Sequence, residues 1–155
     1  MGLPNASQKV QDFLSQFDLN LEVKEFPAST RTAQDAAEAV GCAIGQIVKS
    51  LIFRSADKPL LFLVSGDNRL DVNKVSRDLG ISLKKANAQF VRDKSGYAIG
   101  CVPPVAHDEK MEVFIDRDLL SFDEIWAAAG TPHAVFRLKS ADLQRITAGR
   151  VINVK

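Results

Sequence analysis

Cysteine, histidine, tyrosine and tryptophan are scarce in this chain of 155 residues: there are 2, 2, 1 and 1 of them. Cys42 and Cys101 are too few for the disulfide framework of a secreted scaffold and lack Cys-x-x-Cys spacing, so a reducing, cytoplasmic setting is expected. With His107 and His133 they fall at unrelated intervals, which gives no zinc pattern; no metal or other cofactor is expected. An excess of one charge is missing too: 20 basic against 19 acidic residues leave a formal +1. Duplex DNA is therefore not an expected partner, although a small basic pocket can still hold a nucleic-acid end. Apolar runs such as Leu60–Val64 are far short of the roughly 20 residues a membrane span needs. Met1–Ala6 shows neither a leader pattern nor Ser or Thr at the myristoylation position, so no export and no membrane anchor are expected.

What is present reads as one domain over residues 1–155, with short helices and strands alternating and no repeat or linker. Ser7 is expected to open a helix whose stripe is Val10, Phe13, Leu14 and Phe17. Leu19–Phe26 alternates as a strand. Thr32 caps a helix that stops at Gly41, and Asp71 caps one that stops at Gly80. Between these helices, Ile47–Arg54 and Leu60–Val64 are apolar on both faces, as central strands are. A short helix is expected over Asn87–Lys94 and a strand over Met111–Asp116. Ser121–Glu124 matches a capping box, which predicts a helix with Phe122, Ile125, Trp126 and Ala129 inward. His133–Leu138 should be a strand, Ser140 the cap of a last helix, and Val151–Val154 an edge strand. Without regular βαβ spacing, the expected class is mixed α/β (α+β): a mainly antiparallel, partly barrel-like central sheet with helices packed around it.

Lys49 is the anomaly in this pattern. Alternation puts it on the face of Ile47, Leu51 and Phe53, where an unpaired ammonium is costly. A pocket wall, a buried ion pair and a strand end reached by snorkelling all remain open for it. The other unusual feature is the loop Gly96–His107, in which glycines permit close backbone approach and Pro103-Pro104 removes two N–H donors. Such a loop presents carbonyls to an ammonium or hydroxyl, or simply turns the chain. Cys101 with either histidine is a conceivable nucleophile pair, set against the commoner packed thiol. His107 sits in a polar segment and is expected to be solvated. Asn68–Lys74 and Lys84-Lys85 offer basic groups that also suit a solvated face.

Ile47-Val48-Lys49-Ser50-Leu51, the Gly-x-x-x-Pro segment Gly100-Cys101-Val102-Pro103-Pro104, and Gly130-Thr131-Pro132-His133-Ala134-Val135-Phe136 occur in the order and at the spacings of the YbaK/ProX family. The chain resembles these free-standing aminoacyl-tRNA deacylases, relatives of the editing domain inserted in bacterial prolyl-tRNA synthetases, from about Phe26 to Val151. The resemblance implies the YbaK-like fold and hydrolysis of the ester between a wrong amino acid and the tRNA 3′ end. It implies Lys49 as the required lysine, Gly100, Cys101, Val102, Pro103 and Pro104 as the substrate loop, and His133 as a pocket histidine. Asp116 also resembles a family position. Ser50, where some subgroups carry Asn or Thr, and Ala106 depart from the pattern.

This chemistry suits the residues. One methylene supplies only about 1–3 kcal/mol of discrimination, so synthetases need a second, hydrolytic site. An aminoacyl ester is already activated, and its removal requires a placed water and a stabilised oxyanion rather than a Ser or Cys nucleophile. Ile47, Leu51 and Phe53 would limit side-chain size. Expected partners are the aminoacyl-tRNA 3′ end and a prolyl-tRNA synthetase or another synthetase. Two rival classes are a non-catalytic nucleic-acid-binding module and a synthetase-associated adaptor; the first lacks an aromatic platform, since Trp126 falls on the expected helical stripe.

Overall fold

The computed structural model describes residues 2–155. Its strands are β1 (Val23–Glu25), β2 (Ile47–Ser55), β3 (Lys58–Ser65), β4 (Lys84–Lys85), β5 (Glu112–Asp116), β6 (Glu124–Ala128), β7 (Ala134–Lys139) and β8 (Arg150–Ile152). The helices are α1 (Asn5–Leu14), α2 (Ala33–Val40), α3 (Val72–Leu79), α4 (Ala88–Ser95) and α5 (Ser140–Thr147). All eight strands form one mixed sheet in the order β1-β7-β6-β2-β3-β5-β8, with β4 added to β2. The β2–β6, β3–β5 and β5–β8 pairs are parallel and the others antiparallel. The sheet does not close: β1 and β8, three residues each, end the order on opposite sides, which corrects the barrel-like expectation.

Local chemistry sets the ends of α2 and α3 as expected: Thr32 and Asp71 accept from the backbone N–H three residues on, and Gly41 and Gly80 end the helices in the left-handed region. Asn87 and Gly96 bound α4 in the same way. Helix α1 differs, starting directly after Pro4, while the Ser7 hydroxyl is buried without a partner rather than capping. Only Val23–Glu25 of the expected first strand joins the sheet. Just before it, the Gln11 side chain takes the ladder's place, accepting from Val23 N and donating to the Leu21 carbonyl. Ser140 is the first residue of α5, and its hydroxyl donates to the Phe122 carbonyl instead of capping.

The largest departure is the segment after Ser121. A 3₁₀ turn over Arg117–Ser121 is followed not by a helix but by β6. The capping box fails because the Ser121 hydroxyl donates to the Asp118 carbonyl and the Glu124 carboxylate faces Arg137 at 3.4 Å. Ile125, Trp126 and Ala127 are buried on both sides, and ladders to β2 and β7 satisfy the backbone, so sheet pairing overrides a pattern too short to fix its period.

Both faces of the sheet are covered. Leu61, Leu63, Ile115, Ile125 and Phe136 join Val10 and Leu14 of α1 and Leu143 of α5 in the main core. On the opposite face Phe53, Leu60, Phe62, Val64 and Phe114 meet Val75 of α3. A third cluster sets Ile47, Trp126 and Val135 against Ala36 and Ala37 of α2, small residues that permit close approach. On one face of β2, then, Ile47 belongs to the α2 cluster and Leu51 and Phe53 to the α3 cluster. Lys49 lies at the seam between them.

Candidate functional site

The site begins with a split in the sheet. On the β3 side, β2 is paired along its whole length. On its other side, among the described residues, it is in register only at Ile47–Val48, with β6, and at Phe53–Arg54, with β4. The intervening residues Lys49–Ile52 therefore present an unpaired edge inside the protein. Two observations fix which groups point into the gap. The Gly66 N–H donates to the Ile47 carbonyl, and Arg54 lies opposite Pro59, which has no N–H and so occupies a non-bonded pair. By alternation, Lys49 and Leu51 bond to β3, and the N–H and C=O of Ser50 and Ile52 face the gap.

Strand β6 leaves β2 because the chain turns after Ala128. Ala129 N–H donates to the Ala134 carbonyl, and Gly130, at φ +95°, donates to the Cys101 carbonyl at 3.1 Å. A side chain at Gly130 would sit 2.8 Å from the Ala6 carbonyl oxygen, so the turn requires glycine for its space as well as its φ. That hydrogen bond ties the end of β6 to the Gly100–Pro104 loop.

A cavity of about 470 Å³ fills the split, within the roughly 300–1,000 Å³ of small-ligand sites. Residues 47–53 of β2 form its floor, and Thr30–Ala33, Trp126–Ala128, Lys85-Ala86 and Ile99-Gly100 with Val102 its sides. Its charged lining is wholly cationic: Arg31, Lys49 and Lys85. Among the described residues none of these three joins an ion pair, and no carboxylate lines the cavity.

Lys49 is held by a neutral acceptor: its Nζ donates to the Asn68 carbonyl. Burial lowers its pKa from the ordinary lysine value and Arg69 acts in the same direction, while Asp116 and Asp67 oppose. Asp116 is 1% exposed and does not line the cavity. Its Oδ2 accepts from Asn68 Nδ2 at 2.8 Å and Ser65 N at 3.0 Å, and its Oδ1 from Asp118 N at 2.9 Å. Asp116 thus fixes the turn whose carbonyl holds Lys49.

The Gly-x-x-x-Pro loop is braced from behind. Gly100, at φ +86°, lies under Arg31, whose Cγ would meet an added Cβ at 2.7 Å. The Cys101 carbonyl receives Gly130, and the Pro103 carbonyl receives His107 Nε2 at 2.7 Å; since a carbonyl only accepts, Nε2 carries the proton. Gly100 and Val102 line the cavity, and their carbonyls accept no hydrogen bond from the described residues. His107 is half-buried, not solvated as its polar segment suggested, and burial lowers its pKa.

The structure brings together Lys49, Ile47, Leu51, Phe53, Gly100 and Val102 around the cavity. Cys101, Pro103 and Pro104 are buried behind the loop. Burial raises the Cys101 thiol pKa, and the side chains of His107 and His133 bond to carbonyls, not to sulfur. His133 is exposed, its Nδ1 3.1 Å from the Ala28 carbonyl, outside the cavity lining. Trp126 is in the lining, but from a strand and not a helix. Sequence reasoning missed Arg31 and the open edge of β2. Arg31 follows Ser29-Thr30 and precedes a helix cap, a setting with no motif; the edge is a property of pairing.

A family model for the aminoacyl-tRNA editing domain matches residues 27–146. The chain is 29% identical over 147 residues to the uncharacterized protein YwhH of Bacillus subtilis, covering 93% of this chain and 92% of that one. It is 36% identical over 87 residues to a proline–tRNA ligase of Thermosipho africanus, 56% of this chain but only 16% of the ligase. Among solved structures, a candidate trans-editing enzyme for prolyl tRNA synthetase superposes with a TM-score of 0.93 at 46% identity, covering 99% of both chains.

Proposed function

The chain belongs to the aminoacyl-tRNA editing domain family, and on that premise we propose that it hydrolyses in trans the ester of a small amino acid mischarged on tRNA(Pro) or a related tRNA. The observation that carries this reading is Lys49 in the wall of a cavity that is lined by three cations and no carboxylate and that Gly100 and Val102 also line. Such a site attracts the phosphates and the electron-rich ester of a tRNA 3′ end, and it offers acceptors to an α-ammonium. Water adds to the ester carbonyl, the bond to the ribose oxygen breaks, and that oxygen takes a proton as the free amino acid leaves. Lys49 supplies positive charge to the phosphate, ribose hydroxyl or developing oxyanion.

The other expected residues act around this centre. Ile47 and Leu51 bound the space for the amino-acid side chain. Cys101, Pro103 and Pro104 shape the loop, Asp116 positions Lys49 through Asn68, and His133 steadies the Ala28–Arg31 segment. Residues 1–155 act as one editing domain, which the packing of α1 and α5 into the main core supports. The synthetase match, confined to 16% of the ligase, supports a prolyl-tRNA synthetase as the partner that supplies mischarged tRNA. No helix among the described residues is long and apolar enough to cross a membrane, in keeping with work alongside translation in the cytoplasm.

A deacylation screen over aminoacyl-tRNA pairs, with wild type and Lys49→Ala side by side, tests the reading. Hydrolysis of a mischarged tRNA that falls at least about 100-fold in the variant is expected, the scale of losing one oxyanion-stabilising group. Tight RNA binding without turnover in wild type would favour a non-catalytic binding module instead.

A further inference from the structure

The split in the sheet has a shape that matches the substrate. Extending the β2–β6 register from Ile47 opposite Trp126 by four residues places Gly130 opposite Leu51, but Gly130 has turned away to the Cys101 carbonyl. One ladder position is thus vacated beside Leu51, flanked by the outward-facing carbonyl of Ser50 and the N–H of Ile52. A residue in a parallel ladder donates its N–H to the carbonyl before its partner and accepts on its own carbonyl from the N–H after it. An aminoacyl ester carries the same donor and acceptor on either side of its Cα.

We propose that the aminoacyl group docks as a single-residue parallel strand in this gap, its α-ammonium donating to the Ser50 carbonyl and its ester carbonyl accepting from the Ile52 N–H. The proposal rests on the deacylase reading and gives it a recognition mechanism. The ammonium has further protons for the loop carbonyl of Gly100. The Ile52 N–H is a donor fixed by the sheet, aimed where negative charge develops when water adds, so it stabilises the transition state without reorganising. Paired residues in a ladder share a face, so the side chain of an L-residue falls beside Leu51, on the face of Lys49. The main chain reads the amino-acid backbone, and the wall reads the side chain. This is strand addition reduced to one residue.

Three properties of these groups support the assignment. Among the described residues neither β6 nor β4 is in register with Lys49–Ile52, the cavity is lined by each of these four residues, and the Ser50 hydroxyl is buried without a partner, so it does not fill the vacancy. Buried backbone donors and acceptors are almost always satisfied, and an unfilled pair in a cavity wall points to a ligand that supplies the complement.

The test removes one atom. Replacing Ile52 by its α-hydroxy acid turns the Leu51–Ile52 amide into an ester and deletes that N–H while keeping the side chain. The expected result is a loss of about 100- to 1,000-fold in kcat/KM for deacylation, with only a small drop in thermal midpoint, because among the described residues no protein group accepts from this N–H and the Leu51 carbonyl, now that of an ester, stays bonded to β3 as a weaker acceptor. In parallel, 15N-labelled wild type is titrated with 3′-alanylamino-3′-deoxyadenosine, in which a stable amide replaces the ester. The Ile52 amide should shift and become protected from hydrogen exchange. Full activity in the ester variant, or analogue binding that leaves the Ile52 amide unprotected, overturns the proposal. If wild type hydrolyses no mischarged tRNA yet the analogue protects Ile52, the docking mode stands and the deacylase reading falls.

Discussion

Lys49 and Asp116 never touch, yet Asn68 joins them: its carbonyl receives the Lys49 Nζ and its side-chain amide donates to Asp116 Oδ2 at 2.8 Å. A carboxylate outside the cavity therefore fixes a cation inside it.

Asp116→Ala should lose this linkage and leave three N–H donors without their acceptor, two of them on the backbone of Ser65 and Asp118. At about 1–3 kcal/mol for a buried unsatisfied group, chemical denaturation should show a loss of roughly 3 kcal/mol or more. Deacylation by the fraction still folded should fall as well, since Lys49 loses its anchor. An unchanged kcat in folded Asp116→Ala would separate Asp116 from the site.

Lys49 is a liability to the fold. Its pKa is lowered in the folded state, so the unfolded chain binds the proton more tightly and stability rises as pH climbs toward the ordinary lysine value. Lys49→Met removes that term. Its stability relative to wild type should be greatest near neutral pH and shrink as the pH is raised, as followed by denaturant midpoints from pH 7 to 10. A gap that widens with pH would contradict the sign.

Arg31 and Lys85 flank the cavity and join no ion pair among the described residues. If they meet phosphates, Arg31→Ala and Lys85→Ala should each raise KM for charged tRNA more than they lower kcat. Each should also flatten the dependence of log KM on log salt, by about 0.7 per lost phosphate contact on a single strand. Equal salt slopes in wild type and both variants would remove them from the phosphate path.

His107 braces the Gly100–Pro104 loop through its Nε2 hydrogen bond to the Pro103 carbonyl. Its lowered pKa means that its contribution is present above the unfolded histidine value near 6.5 and is lost as pH falls below it. His107→Gln should flatten the acid side of the stability profile below about pH 6.5, while raising KM through a looser Gly100–Pro104 loop. An acid limb identical to that of wild type would show that His107 does not report on folding.

Much of this was legible in the sequence because local chemistry specified it. Thr32 and Asp71 cap their helices, and the apolar runs of β2 and β3 become the sheet's centre. Lys49 was visible as a misplaced cation, and Gly100–Pro104 as a loop with unusual backbone. The rest depended on partners distant in the chain. Glu124–Ala128 carries a short pattern that fits either period, and only β2 and β7 decide it. Arg31 reaches Gly100 across 69 positions, and Asp116 reaches Asn68 across 48. The open edge of β2 is invisible for a stricter reason: it consists of the absence of a neighbour.

An unpaired strand edge is ordinarily an aggregation hazard, because any extended chain can add to it. Here the four residues Lys49–Ile52 lie between β6 and β4, with α2 and the Gly100 loop forming the walls around them. The open run is four residues long, shorter than the usual strand of about five or six. Solubility is thereby protected by the same walls that shape the pocket, and substitutions that widen it for a larger amino acid should eventually expose the protein to self-association.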